Sequence, residues 1–260
     1  MSGVLEIDDL GIRFGGLQAL EAVTFRVDEY EIVGLMGPNG AGKTTCFNCI
    51  TGFYTPNSGS VRYRGTDITG MRPDQRAGLG IGRTFQQVGL VRSMTVLENL
   101  LTAQHARIKY TAGAGMVGSP MSLSEERDLA KRAMEVLGFM GLAHLSQTKL
   151  AGLPYGTLKM IEASAVLATD PDLLLLDEPS AGMSPEESHD FGDLLLSIRR
   201  QLGVTIVMIE HHVPLVVRVC DFIYVLNFGR LLAQGLPDEI QSHPEVITAY
   251  FGEESTYGAA

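Results

Sequence analysis

The chain has 260 residues, 45% of them hydrophobic, which is enough to bury one large core or a core with a subdomain. Its formal charge is −10, from 30 acidic and 20 basic residues, so it lacks the basic surplus with which nucleic-acid binders neutralise phosphate. No apolar run approaches the ~20 residues a bilayer span needs, and residues 1–9 lack the basic start and long apolar stretch of a signal peptide.

The first segment reads as short strands. Residues 4–9 and 22–27 alternate partly, and 31–36 is an apolar run that ends in a Gly-rich turn. A helix is expected from Lys43 to about Thr51. The turn between them, Gly37, Pro38, Asn39, Gly40, Ala41, Gly42, Lys43 and Thr44, fits G-x-x-x-x-G-K-[ST] in full and lies in strand–loop–helix order. Glycines let successive backbone N–H groups face phosphates, and the helix N-terminus adds its positive dipole end. Lys43 is placed to reach the β- and γ-phosphates, the Thr44 hydroxyl to coordinate Mg²⁺, and Thr45 follows in the same nucleotide-binding turn. Cys46 and Cys49 have C-x-x-C spacing but no second ligand pair nearby, so they are read as core packing.

Residues 55–59 form a turn cluster, and 60–63 resume as a strand. From 95 to about 109 the pattern is helical, and the Gly-, Ala- and Ser-rich stretch 111–120 is expected to be a surface loop. Ser122 and Glu125 have capping-box spacing and are expected to open a helix running to about residue 140; another helix is expected over 157–168. This block, 87–168, is expected to be a helical subdomain inserted between two parts of an α/β core, 1–86 and 169–260.

The core resumes with the apolar runs 173–176 and 204–209, separated by a helix over about 185–201. Buried parallel strands with their crossover read this way. A hairpin of 222–227 and 230–234 turns at Phe228 and Gly229, and short helices follow. At the end of the run 173–176 stand Asp177 and Glu178, a position where open α/β sheets bind ligands. Asp177 is placed to act on the metal or its water shell. Glu178 is placed to polarise the attacking water.

These features, in order across nearly the whole chain, resemble the ATP-binding subunit of ABC transporters. Phe14 resembles the aromatic that stacks on adenine. Gln86, preceded by Thr84 and Phe85, resembles the glutamine that joins the nucleotide and its Mg²⁺ to the transmembrane partner. His211 resembles the switch histidine that contacts the γ-phosphate, and Ala181, Gly182, Met183 and Ser184 occupy the loop that contacts the opposite subunit. Stretches 14–20, 83–86, 94–100 and 209–211 and the ending 249–252 are similar to the branched-chain amino-acid importer family, in its ATPase type with the longer helical insertion. Importers of urea, short amides or aromatic acids share much of this pattern.

The resemblance implies an α/β fold: a P-loop NTPase core with a mixed, mainly parallel sheet, an N-terminal antiparallel β region and the inserted helical subdomain. It implies ATP and Mg²⁺ as cofactors, with Thr44, Gln86 and Asp177 at the metal and Glu178, His211, Gln86 and Lys43 in catalysis. It also implies a second ABC ATPase subunit, membrane permease chains, indirectly a solute-binding protein, and a peripheral place on the cytoplasmic face of a bacterial membrane. Without the resemblance, a P-loop kinase or a non-transport ABC ATPase would fit the same phosphate loop.

One stretch departs from the family pattern. Leu153, Pro154, Tyr155, Gly156 and Thr157 stand where the signature Leu-Ser-Gly-Gly-Gln caps the partner's γ-phosphate. Pro154 has neither a hydroxyl nor a backbone N–H, and Tyr155 replaces a glycine, while Gly156 is retained. Either the partner's site is weakened or the change is tolerated. Ser184 likewise stands at the usual aspartate position.

Overall fold

The computed structural model describes residues 3–84, 89–108 and 120–251. Two sheets organise the chain. The first is antiparallel, in the order β2 (Leu17–Val27), β1 (Leu5–Phe14), β4 (Ser58–Tyr63), β5 (Thr66–Asp67). The second has six strands: β10 (Arg230–Gly235), β9 (Phe222–Asn227), β3 (Ile32–Met36), β8 (Thr205–Ile209), β7 (Leu173–Asp177) and β6 (Ile81–Arg83). All neighbours in it are parallel except β9 and β10, which form the expected hairpin.

The uniformly apolar runs resolve into two faces. Val33, Leu35, Leu173, Leu175, Val207 and Ile209 join a core with the antiparallel sheet and the helix Lys43–Thr51. Their neighbours Ile32, Met36, Leu174, Leu176, Ile206 and Met208 join a second core under the remaining helices. The period of two is therefore present inside each run, hidden because both faces are covered. Cys46 and Cys49 lie fully buried in the first core, where burial pushes both thiols up.

Four boundaries stand out as different from the sequence reading. Strand β1 continues past Asp9 to Phe14, and β2 starts at Leu17 rather than 22, because the register shifts between Ile7 and Leu10 with Asp9 at φ +49°. Such a bulge breaks the alternation that a pattern search requires. The helix Pro120–Phe139 is already formed two residues before Ser122, which is buried within it, so Ser122 is not its cap. The helix expected from 157 begins two residues earlier, as Tyr155–Leu167 with Pro154 as N-cap. Proline suits that boundary because its fixed φ suits a helix entry and its missing N–H costs no helical bond there.

The helix Val96–Ala103 opens on a capping box between Thr95 and Glu98 and passes into a 3₁₀ turn, Gln104–Arg107. It packs against Pro120–Phe139 and Tyr155–Leu167, and the last of these also touches β6 and β7. The loop expected over 111–120 lies, apart from Pro120, outside the described residues.

Candidate functional site

Parallel strands β3, β8, β7 and β6 end on one edge of the sheet, so the residues just beyond them converge there. After β3 the chain turns through Gly37 at φ +145°, where a Cβ would lie 2.2 Å from the Leu226 carbonyl oxygen. Gly42, at φ +104°, meets the Ala19 carbonyl and the Leu20 side chain at under 3 Å. Any side chain at either position would push the loop off the sheets that carry it. The helix Lys43–Thr51 then begins with no side-chain cap and no acidic residue in its first turn, leaving its N–H groups open to an anion.

Lys43 is buried, and its Nζ donates to the carbonyl oxygens of Gly37 (2.6 Å) and Pro38 (2.9 Å). Burial pushes its ammonium down, against the pull of Glu178 and Asp177. Asn39, Gly40 and Thr44 are exposed at the mouth of the loop, and Ala41 and Thr45 sit behind them. Gly37 N–H donates to the Tyr250 hydroxyl, 2.6 Å away.

Asp177 is 1% exposed at the end of β7. Its Oδ2 accepts from Arg83 Nη2 at 3.1 Å, its N–H donates to Thr84 Oγ1, and Oδ1 is buried without a hydrogen-bond partner. Burial pushes the carboxyl up, opposed by Arg83. A buried oxygen with no donor is costly, and a hard cation or its water shell suits this one. Arg83 also donates to Asn48 and Thr51 of the phosphate-loop helix, tying that helix to β7.

Glu178 follows in the left-handed region at φ +50°, a strained conformation for a residue with a Cβ. Its Oε1 lies 2.9 Å from His211 Nε2. A third carboxylate holds the two loops together. Glu210, 3% exposed, accepts from Ser180 N–H (2.8 Å) on the Glu178 loop and from His211 N–H (2.9 Å) and His212 N–H (3.2 Å) on its own. His212 is occupied elsewhere, with Nδ1 2.9 Å from Ser188 Oγ.

Phe14 lies at the turn between β1 and β2, half exposed, with its ring edge-on to Tyr54 at 5.1 Å. Gln86 lies outside the described residues. Leu153 and Pro154 precede a helix whose first turn is Tyr155, Gly156 and Thr157, so three of the five signature positions are helical rather than loop. Tyr155 packs its ring edge against Gly182, and Gly156 faces Met183. Ser184 caps the helix Pro185–Leu202 in a reciprocal pair with Glu187.

The sequence reading thus brings Lys43, Asp177, Glu178 and His211 to one edge, and it missed Arg83, Glu210 and Tyr250 as parts of the site. Arg83 stood within the family-like stretch 83–86. Glu210 and Tyr250 likewise stood within the family-like stretches 209–211 and 249–252, but nothing local marked their roles, because Ser180 and Gly37 are 30 and 213 residues away.

A family model described as "ABC transporter" matches residues 20–181, and a second, "Branched-chain amino acid ATP-binding cassette transporter", matches residues 230–256. The chain is 42% identical over 250 residues to the high-affinity branched-chain amino acid transport ATP-binding protein LivG of Salmonella typhimurium, covering 96% of this chain and 98% of that one. BraF of Pseudomonas aeruginosa, a protein of the same description, is 41% identical with the same coverage. Among solved structures, an ATP-binding cassette of an ABC transporter in its ADP conformation superposes with a TM-score of 0.85 at 32% identity, covering 97% of this chain and all of that one.

Proposed function

Because the chain belongs to the ABC transporter family, we propose that it is the ATP-binding and hydrolysing subunit of an importer for branched-chain amino acids or closely related small solutes. The observation that carries this reading is the convergence on one sheet edge of an anion-ready loop with Lys43, a buried carboxylate with an unpartnered oxygen, and the Glu178–His211 pair at 2.9 Å.

ATP would seat its phosphates on the N–H groups of the loop from Gly37 to Thr44, with Thr45 behind them and the adenine against Phe14. Lys43 would then leave the Gly37 and Pro38 carbonyls for the β- and γ-phosphates, exchanging two neutral acceptors for charged ones. Thr44 and Asp177 Oδ1 are the described groups fitted to hold Mg²⁺, and Gln86 is assigned there with them. Bound Mg²⁺ would neutralise charge on the phosphate oxygens. Glu178 would orient the attacking water and take its proton, while His211 fixes the carboxylate and faces the γ-phosphate. Residues 87–168 are the helical subdomain in this reading.

Two such ATPase subunits would enclose the nucleotides, each phosphate loop facing the other chain's helix start at Tyr155. Permease chains would dock in a groove of about 810 Å³ between core and helical subdomain, lined by Phe53, Leu79, Arg83, Arg107 and Val166. No described helix is long and apolar enough to cross a membrane, and the reading places the chain peripherally on the cytoplasmic face. A solute-binding protein would act through the permease.

The first test is Glu178→Gln. It is expected to keep ATP affinity and to lose at least about 100-fold in turnover, measured by equilibrium binding and phosphate release. Near-normal hydrolysis would refute the role of Glu178. ATP-dependent phosphorylation of a small acceptor would favour a kinase instead.

A further inference from the structure

The C-terminal helix Pro244–Phe251 reaches the phosphate loop. Val246 is buried and Tyr250, one turn on, packs beside it against the second core, so one face of the helix is seated on the protein. The helix also touches β10 and the helix Pro237–Gln241. From that seat the Tyr250 hydroxyl accepts the Gly37 N–H at 2.6 Å. Gly37 is where β3 leaves the sheet: Met36 is still paired with Val225 of β9.

Gly37 is held from three sides. The Leu226 carbonyl lies where its side chain would be, Tyr250 takes its N–H, and Lys43 takes its carbonyl. Two of these holds differ in kind. Lys43 must leave the Gly37 carbonyl to reach phosphate oxygens, whereas Tyr250 has no reason to move. Burial pushes the phenol up to about 12, so it stays an uncharged hydroxyl throughout the working range. When nucleotide draws Lys43 away, Tyr250 is the side chain that still fixes this peptide.

We propose that Tyr250 is a positioning residue for the phosphate loop and that the C-terminal helix is thereby part of the ATP site, coupled energetically to nucleotide binding. This rests on the ATPase reading of the loop. Coupling is reciprocal: if Tyr250 strengthens nucleotide binding, bound nucleotide must steady the helix that carries Tyr250.

The experiment uses the full-length chain. Tyr250→Phe keeps the ring and removes only the acceptor, leaving the Gly37 N–H without its partner. Mg·ATP affinity is measured by fluorescence titration well below the unfolding midpoint of both proteins. The expected result is a roughly tenfold weaker Kd in the variant, the size of one lost hydrogen bond. A merely structural role would lower the midpoint and leave Kd unchanged, and a Kd within twofold of wild type overturns the proposal. Hydrogen exchange on the wild type needs no variant. Saturating Mg·ATP is expected to slow exchange in 244–251, and unchanged exchange there overturns the coupling even if Tyr250→Phe fails to fold. Failure of the wild type to bind Mg·ATP would instead refute the ATPase reading itself.

Discussion

Glu210 ties together the loops that carry the two groups assigned to hydrolysis through bonds to backbone N–H groups. Its two oxygens take three N–H donors from the loops that carry Glu178 and His211. A glutamine there has one acceptor oxygen, and its amide N–H₂ would face a backbone donor. Glu210→Gln is therefore expected to lower kcat roughly tenfold or more while leaving KM for ATP within about twofold. Steady-state ATPase assays resolve the split, and an equal loss in both parameters would mean the whole site had shifted. In the sequence this residue is a carboxylate after an apolar run, inside the family-like stretch 209–211, with no role assigned to it. Its bond from Ser180 N–H spans thirty residues, so no local pattern could reveal that it ties the two loops together. Lys43, Asp177 and Glu178 were legible for the opposite reason, since their motifs are short and contiguous with the strands that place them.

The elements were legible where a single period governs them and obscure where two segments share the work. Strands β3, β7 and β8 follow from apolar runs, and the helix Lys43–Thr51 follows from its loop. The bulge at Asp9 hid half of β1, and the start of Pro120–Phe139 was misplaced because Ser122 and Glu125 mimic a capping box inside a helix. Ser184 shows the converse. A position where the family resemblance expects aspartate is here a working N-cap, bonded both ways with Glu187. Ser184→Ala is expected to cost about 1 kcal/mol of stability by denaturant unfolding, and Ser184→Asp to cost less than ~0.5 kcal/mol. If both variants lose the same stability, the cap does not hold the helix.

At the scale of the molecule, two cores on opposite faces of one mainly parallel sheet leave a single edge for nucleotide chemistry. In the proposed dimer the unusual signature stretch would serve a partner's phosphate site rather than this chain's own. Pro154 forms a sound helix entry, and the first turn that follows carries no acidic residue and no side-chain cap. A helix N-terminus free to receive an anion is thus retained without the serine. Pro154→Ser is accordingly expected to change ATP turnover of the assembled transporter by less than about threefold. Thr157→Glu, which puts a negative charge in that first turn, is expected to lower it at least about tenfold. Recovery of a large deficit by Pro154→Ser would instead mark the dimer as asymmetric.

Transport itself gives the most direct test. The chain would be assembled with permease chains and a second ATPase subunit in vesicles holding ATP on the same side as this chain. The solute-binding protein and labelled leucine would be on the opposite side, and ATP-driven uptake would be measured for wild type and Glu178→Gln. Uptake by the wild type and none by the variant, at equal ATP binding, is the predicted result. Equal uptake by both, or hydrolysis without movement of any branched-chain amino acid or related small solute, would contradict the account.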